Sequence, residues 1–380
     1  MQVSSRSGSA LPALSRENPL HRDPSHEDPA HPDPTERGRE EGPSGLARST
    51  STRTFGFLLM AVLLLAVTAA SVAVGARDIA FATIWESLVA YDSDLAEHLM
   101  IREMRIPRTV VGLVIGPALG LCGALIQAFT RNPLADPGIL GVNAGATFAV
   151  TLAVGFLGLA SPLGYIWFAL AGAGAVTVLV YLLGSIGGGR STPAKLVLAG
   201  VAISAVLGGL TSAVILGDRE AFDDLRFWGV GSIGGRQLDV VLSFAPFIAV
   251  GVLIALAVAR PLNALALGDE LGAALGVRIG IVRVGVIVAV TLLAGTATAL
   301  AGPIGFLGLM VPHVVRWIVG PDQRWIMAYT LLVSPALLLI ADIVGRIIMP
   351  SGELRVGLVT AVVGAPVLIL LARRRTVSGL

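Results

Sequence analysis

Apolar runs of roughly 18 or more residues recur along this chain, each long enough to cross a bilayer as a helix. Ten spans can be read, at about 55–75, 108–128, 142–160, 164–184, 195–216, 240–259, 281–300, 304–319, 326–345 and 356–372. The eighth is short and carries Pro312, His313 and Arg316; the ninth is interrupted by Pro335. A strand alternative needs short alternating segments, which are absent. The expected fold is all-α and polytopic, with about ten transmembrane helices. Composition agrees: 54% of 380 residues are hydrophobic and 14% charged, far outside the range of a soluble domain.

A formal charge of +2 is too small to suggest a nucleic-acid partner. The single cysteine, Cys122, lies inside an apolar run, so there is no disulfide framework. Lys195 is the only lysine, and no glycine-rich loop precedes it, which excludes a phosphate loop of the G-x-x-x-x-G-K-[ST] type. If ATP drives this protein, a separate subunit must bind it. No Cys/His cluster, nucleophile elbow or carboxylate pair within a span appears, so the chain reads as a non-enzyme with no cofactor or metal site of its own.

Residues 1–54 differ in kind from the rest. Pro, His, Asp, Arg and Ser dominate, with the near-repeat His21-Arg22-Asp23-Pro24, His26-Glu27-Asp28-Pro29, His31-Pro32-Asp33-Pro34. Such a segment cannot bury apolar surface and is expected to be a disordered tail rather than a signal peptide or metal site. With that tail inside, the inner loops and C-terminal end hold 11 Lys/Arg against 4 Asp/Glu, and the outer loops 9 against 13. Arg373-Arg374-Arg375 after the last span is the clearest orienting signal. Both termini, including the short tail 376–380, are therefore expected in the cytoplasm of a cell whose inner membrane holds the ten-helix domain, 55–375.

The longest polar-interrupted break between spans is Arg260 to Arg278, which this topology places inside. It reads as two short helices. Pro261 suits a first turn and Gly268 a left-handed end; Asp269 can cap the second helix and Gly276 end it. Leu262, Leu265, Leu271 and Leu275 supply an apolar face that a solvated loop would not need, so the segment is expected to dock another protein.

Ionisable residues near span ends are few: His313 and Arg316 in the eighth, and Asp342 and Arg346, four apart, in the ninth. An ion-coupled secondary transporter would use such groups as a relay, whereas end-capping is the plainer use. Gly200, Ser204, Gly208 and Ser212 in the fifth span form a face of small side chains, suited either to close helix packing or to lining a solute path. Outside, Phe227-Trp228-Gly229 suggests an interfacial helix. Arg105 and Arg108 can snorkel or meet carboxylates of an external partner. Finally, Pro137-Gly138-Ile139-Leu140-Gly141-Val142 opens the third span and Pro303-Ile304-Gly305-Phe306-Leu307-Gly308-Leu309 the eighth. Five spans apart, the two copies have opposite topology, as in an inverted repeat; chance likeness of short glycine-rich motifs is the competing explanation.

From about residue 100 onward the sequence resembles the FecCD/BtuC-type permeases of bacterial ABC importers for iron-siderophores, haem and cobalamin. The matches run in order: Arg105-Ile-Pro-Arg108, Arg131-Asn-Pro-Leu-Ala-Asp-Pro-Gly-Ile-Leu-Gly-Val142, Gly268-Asp-Glu-Leu-Gly-Ala-Ala-Leu-Gly-Val277, Gly302-Pro-Ile-Gly-Phe-Leu-Gly-Leu-Met-Val-Pro-His313, Ala341-Asp-Ile-Val-Gly-Arg346, Glu353-Leu-Arg-Val-Gly357 and Gly364-Ala-Pro366. Asn132, Pro133, Asp136, Pro137, Gly138, Gly305, Gly308, Pro312 and His313 are thereby motif positions. The resemblance implies a type II importer permease: ten spans, a second permease copy (identical or similar), two cytoplasmic ATPase subunits that use the ATP, and an external substrate-binding protein. It further implies that Leu262, Leu265, Gly268, Asp269, Glu270, Leu271, Leu275 and Gly276 couple to the ATPase, and that Arg105, Arg108 and Arg346 dock the binding protein. It also implies that Gly200, Ser204, Gly208 and Ser212 line the path. Ferric siderophore is the expected cargo, with haem or cobalamin as alternatives.

Overall fold

Ser49 caps the first described helix by accepting the backbone N–H of Thr52, one of the unpaired donors at a helix start. The computed structural model describes residues 49–75, 77–159, 161–186, 193–217, 225, 228–349 and 352–373. Among these, every regular element is helical. The elements are α1 Thr50–Ala73, α2 Phe81–Val89, α3 Ala96–Leu99 with a wider π-type turn over Met100–Arg105, α4 Ile106–Thr130, α5 Val142–Leu157, α6 Pro162–Ser185, and α7 Pro193–Gly217. Then come α8 Leu238–Ala266, α9 Asp269–Ala274, α10 Ile279–Ala301, α11 Leu307–Val319, α12 Gln323–Ile347 and α13 Val356–Arg373.

Each of the ten expected spans is a helix. Seven are long and apolar enough to cross a membrane, while α5, α11 and α13 are shorter apolar helices. The 13 residues of α11 cover only about 20 Å. The irregular stretch Gly302–Phe306 completes that passage. Non-helical backbone is tolerated at such depth only inside protein, and here a Cβ on Gly302 would come 2.1 Å from the Trp228 carbonyl. Trp228 is helical, as is Leu225, and it is buried edge-on to Tyr165; Phe227 lies outside the described residues. α1 takes in Thr50–Thr54, which the sequence assigns to the tail. Residues 1–48 and 374–380 lie outside the described residues.

The bundle is organised on α4, whose most apolar window is 78% buried against 11% for α1 and for α7. Gly112, Gly116 and Gly120 make that possible. At this spacing they share one face, and a Cβ on each would fall within 2.6 Å of Leu339, Pro335 or Ser334 of α12. One turn further, a Cβ on Gly123 would lie 1.8 Å from the Gly308 carbonyl of α11. Small residues let these backbones touch, the usual means of tight packing where lipid gives no hydrophobic drive.

The two motif echoes also lead into structure alike. Gly141 (φ 78°) precedes α5 and Phe306 (φ 66°) precedes α11, each a left-handed residue at the helix start.

Candidate functional site

The break at Arg260–Arg278 is one long helix followed by one short one, not two short helices. α8 continues through Arg260 and Pro261 to Ala266. An internal proline removes a hydrogen bond, here to the carbonyl of Ala257, at a cost of about 3 kcal/mol. The packing period overrides it: Ala255, Val258, Ala259, Leu262 and Leu265 are all buried on one face that runs straight past the proline. Gly268, at φ 113°, makes the joint and is itself the residue before α9, so Asp269 is the first helical residue and not the cap. Gly276, at φ 84°, ends the turn as expected.

The expected apolar face therefore divides. Leu262 and Leu265 pack into the bundle, whereas Leu267, Leu271 and Leu275 are 58–65% exposed. Gly272 lets α9 lie on α8, since a Cβ there would meet Leu265 at 2.8 Å. Asp269 is turned inward: Arg131 donates to one of its oxygens and Arg283 to the other, at 2.8 Å. Arg283 also donates to the Tyr181 hydroxyl. Asn263 fastens the end of α8 to the α11–α12 turn, donating to Asp322 and accepting from the Gln323 N–H, both at 2.8 Å. Glu270 lies on the exposed side. Nothing in the sequence pointed to Arg283, Tyr181, Asn263 or Asp322.

The loop Arg131–Gly141 is shaped by its own side chains. Asn132 accepts the Leu134 N–H and Asp136 the Gly138 N–H, with Pro133 and Pro137 fixing the turns between. Burial pushes the Asp136 carboxyl up to about 6, against the pull of the Gly138 and Ile139 N–H groups. Pro137 packs against Gly308, where a Cβ would be 3.3 Å from the proline ring. Pro312 lacks the N–H that would pair with the Gly308 carbonyl; Gln127 of α4 supplies a donor instead, to Gly308 at 3.3 Å and Leu309 at 3.1 Å. His313 is buried edge-on to Trp317. Arg316 is buried, and its guanidinium has no hydrogen-bond partner among the described residues. A Cβ on Gly305 would meet nothing.

At the opposite end of α4 the three candidate docking arginines are all engaged within the fold. Arg105 is 5% exposed and donates to the Val72, Ala73 and Arg77 carbonyls at the end of α1. Arg346 is 2% exposed; it donates to the Ser71 and Val74 carbonyls and to both Ser71 Oγ and Asp342. A helix leaves its last carbonyls unpaired, and cations are favoured there. Arg108 is held by Asp342 and Glu353. All three line one cleft together with Arg77 and Glu353, and Arg108 also borders an adjoining cleft of about 410 Å³ with Arg236, Glu353 and Arg355.

The α7 stripe also divides. A Cβ on Gly200 would fall 2.5 Å from the Ile139 carbonyl, and Ser204 faces Gly141, so these two are packing positions and not path-lining ones. Gly208 is open, and the Ser212 hydroxyl turns back to the Gly208 carbonyl.

A sequence profile of the FecCD transport family matches residues 63–374. The chain belongs to that family. It is 46% identical over 329 residues to the ferric enterobactin transport system permease protein FepD of Escherichia coli, covering 86% of this chain and 98% of that protein. Identity to the probable siderophore transport system permease protein YfiZ of Bacillus subtilis is 35%, over 87% of this chain and 98% of that protein. The hemin transport system permease protein HmuU of Yersinia pestis is 34% identical, over 84% and 95%. Among solved structures, an inward-facing conformation of a putative metal-chelate type ABC transporter superposes with a TM-score of 0.71 at 28% identity, covering 83% of this chain and 98% of that one. The FecCD match, nearly full-length in each relative, makes this chain a multi-pass transport permease. The α9 and Arg131–Gly141 segments both fall within it.

Proposed function

We propose that this FecCD permease is the membrane subunit of an ATP-driven importer of ferric siderophores. The observation that carries the reading is the 46% identity that spans 98% of a ferric enterobactin permease. Both termini face the cytoplasm, which puts α9 on the inner side. ATP is bound and split by a separate pair of subunits, consistent with a sequence that holds no phosphate loop. Those subunits dock on the exposed Leu267, Leu271 and Leu275. A second permease copy completes the path along the open outer half of α7, at Gly208 and Ser212. An external binding protein delivers the cargo and selects it. Its acidic groups meet the rim of the outer clefts, where Arg108 and Arg236 stand.

The test is uptake of radiolabelled ferric enterobactin by cells lacking this chain and its relatives, with and without the gene restored. Restored uptake that fails on ATP depletion and survives collapse of the ion gradient is the expected result. Uptake lost only with the gradient would make the protein an ion-coupled carrier, and transport of haem or cobalamin in place of the siderophore would overturn the cargo.

A further inference from the structure

α4 is gripped at both ends by the same device. At one end Arg108 shares Asp342 with Arg346 of α12; at the other, Arg131 shares Asp269 with Arg283 of α10. Arg131 closes α4 in a left-handed conformation, φ 50° and ψ 37°, that side-chain-bearing residues seldom adopt. Asp269, by contrast, belongs to α9, the short helix that carries the exposed leucines. One carboxylate thus joins the exposed helix to two deep spans. Leu265 on Gly272 also holds α9 against the end of α8.

We propose that the Arg131–Asp269–Arg283 triad is the mechanical joint of this permease. Asp269 is a positioning residue: it does not face the ATPase, but passes a displacement of α9 to α4 and α10. The tight contact of α4 with α11 and α12 then carries that displacement towards the outer face, where Arg108 and Asp342 hold the other end. This rests on the reading that ATPase subunits dock at α9. The exposure of the triad supports a role in positioning over one in stability. The Arg131, Asp269 and Arg283 side chains are 38%, 25% and 36% exposed, a setting in which ion pairs add little to folding.

Arg131→Gln cuts only the α4 side of the joint and leaves Asp269 paired with Arg283. In the reconstituted complex of permease, ATPase and binding protein, this variant is expected to keep its ATPase subunits and its melting temperature. Cargo carried per ATP split should fall about tenfold, the usual size of an inter-site coupling. Arg131→Lys, which retains the charge, should recover most of that ratio, and adding Arg131→Gln to Asp269→Asn should cost nothing further. A ratio within about twofold of wild type in Arg131→Gln, loss of the ATPase subunits from that variant, or no recovery by lysine would each overturn the joint. A wild-type complex without ATP-driven uptake would instead remove the functional reading on which the joint depends.

Discussion

Arg108 Nη2 stands 2.7 Å from Asp342 Oδ1, a contact between residues 234 apart in sequence, and Arg346 takes the other carboxylate oxygen at 2.6 Å. Asp342 is wholly enclosed, and Ser71 and the last carbonyls of α1 complete the cluster around Arg346. Three spans therefore converge on one carboxylate: α4, α12 and, through Arg346, α1.

Neutralising that carboxylate strands two guanidinium groups. Removing one partner of a buried ion pair costs about 3–5 kcal/mol. Asp342→Asn is expected to cut the yield of folded protein and to lower the melting temperature of the detergent-solubilised chain by several degrees. Glu353 also pairs with Arg108 but is 41% exposed, so Glu353→Gln should cost less than about 1 kcal/mol. Equal losses from the two variants would show that Asp342 does not anchor the cluster.

Two glycines make opposite predictions. Gly123→Ala drives a methyl group to 1.8 Å from the Gly308 carbonyl, backbone against backbone, where nothing flexible can yield. Overpacking of this kind costs about 1–3 kcal/mol even where side chains can adjust. The variant should fail to accumulate in the membrane. Gly305→Ala meets open space and should accumulate normally, as checked by quantitative blotting of membrane fractions.

Local features of the sequence were enough to read the spans. Apolar length gave ten helices, and a left-handed Gly141 suits a glycine-bearing motif, whereas the left-handed Phe306 does not follow from its string. What escaped the sequence was set by distant partners. Arg105 and Arg346 resemble free outer cations until the unpaired carbonyls at the end of α1 are brought beside them. Asp269 reads as a helix cap until Arg131, 138 residues away, closes on it. Pro261 marks a helix start in most contexts, yet burial of Leu262 and Leu265 in register with Val258 holds the helix through it. Gln127 could have been suspected, because a proline four residues after Gly308 leaves a carbonyl that needs a donor.

The divided leucine face gives a discriminating pair of variants. Leu271→Asp with Leu275→Asp alters side chains 58% and 65% exposed, so the melting temperature should hold while the ATPase subunits no longer co-purify. Leu262→Ala empties a site only 1% exposed, and truncations of that kind cost about 2–5 kcal/mol. That variant should melt lower but still bring down whatever ATPase it meets while folded. Co-purification retained by the aspartate variant would place the docking surface elsewhere.

Asp136 carries a pH-dependent penalty that its neighbours only partly relieve. Its carboxyl sits at about 6 in the fold against 3.8 as a free side chain, because burial outweighs the donated Gly138 and Ile139 N–H groups. An acid held above its unfolded value favours folding only while protonated. That contribution is whole below about pH 4 and is lost as pH rises to about 6, so near neutrality the carboxylate opposes folding by up to about 3 kcal/mol. Asp136→Asn keeps an oxygen to accept the Gly138 N–H and has no charge to desolvate. It should melt several degrees above wild type at pH 7.5, with the gain shrinking steadily between pH 6 and pH 4. A gain independent of pH, or a loss at pH 7.5, would mean that the carboxylate is held by contacts that outweigh its burial.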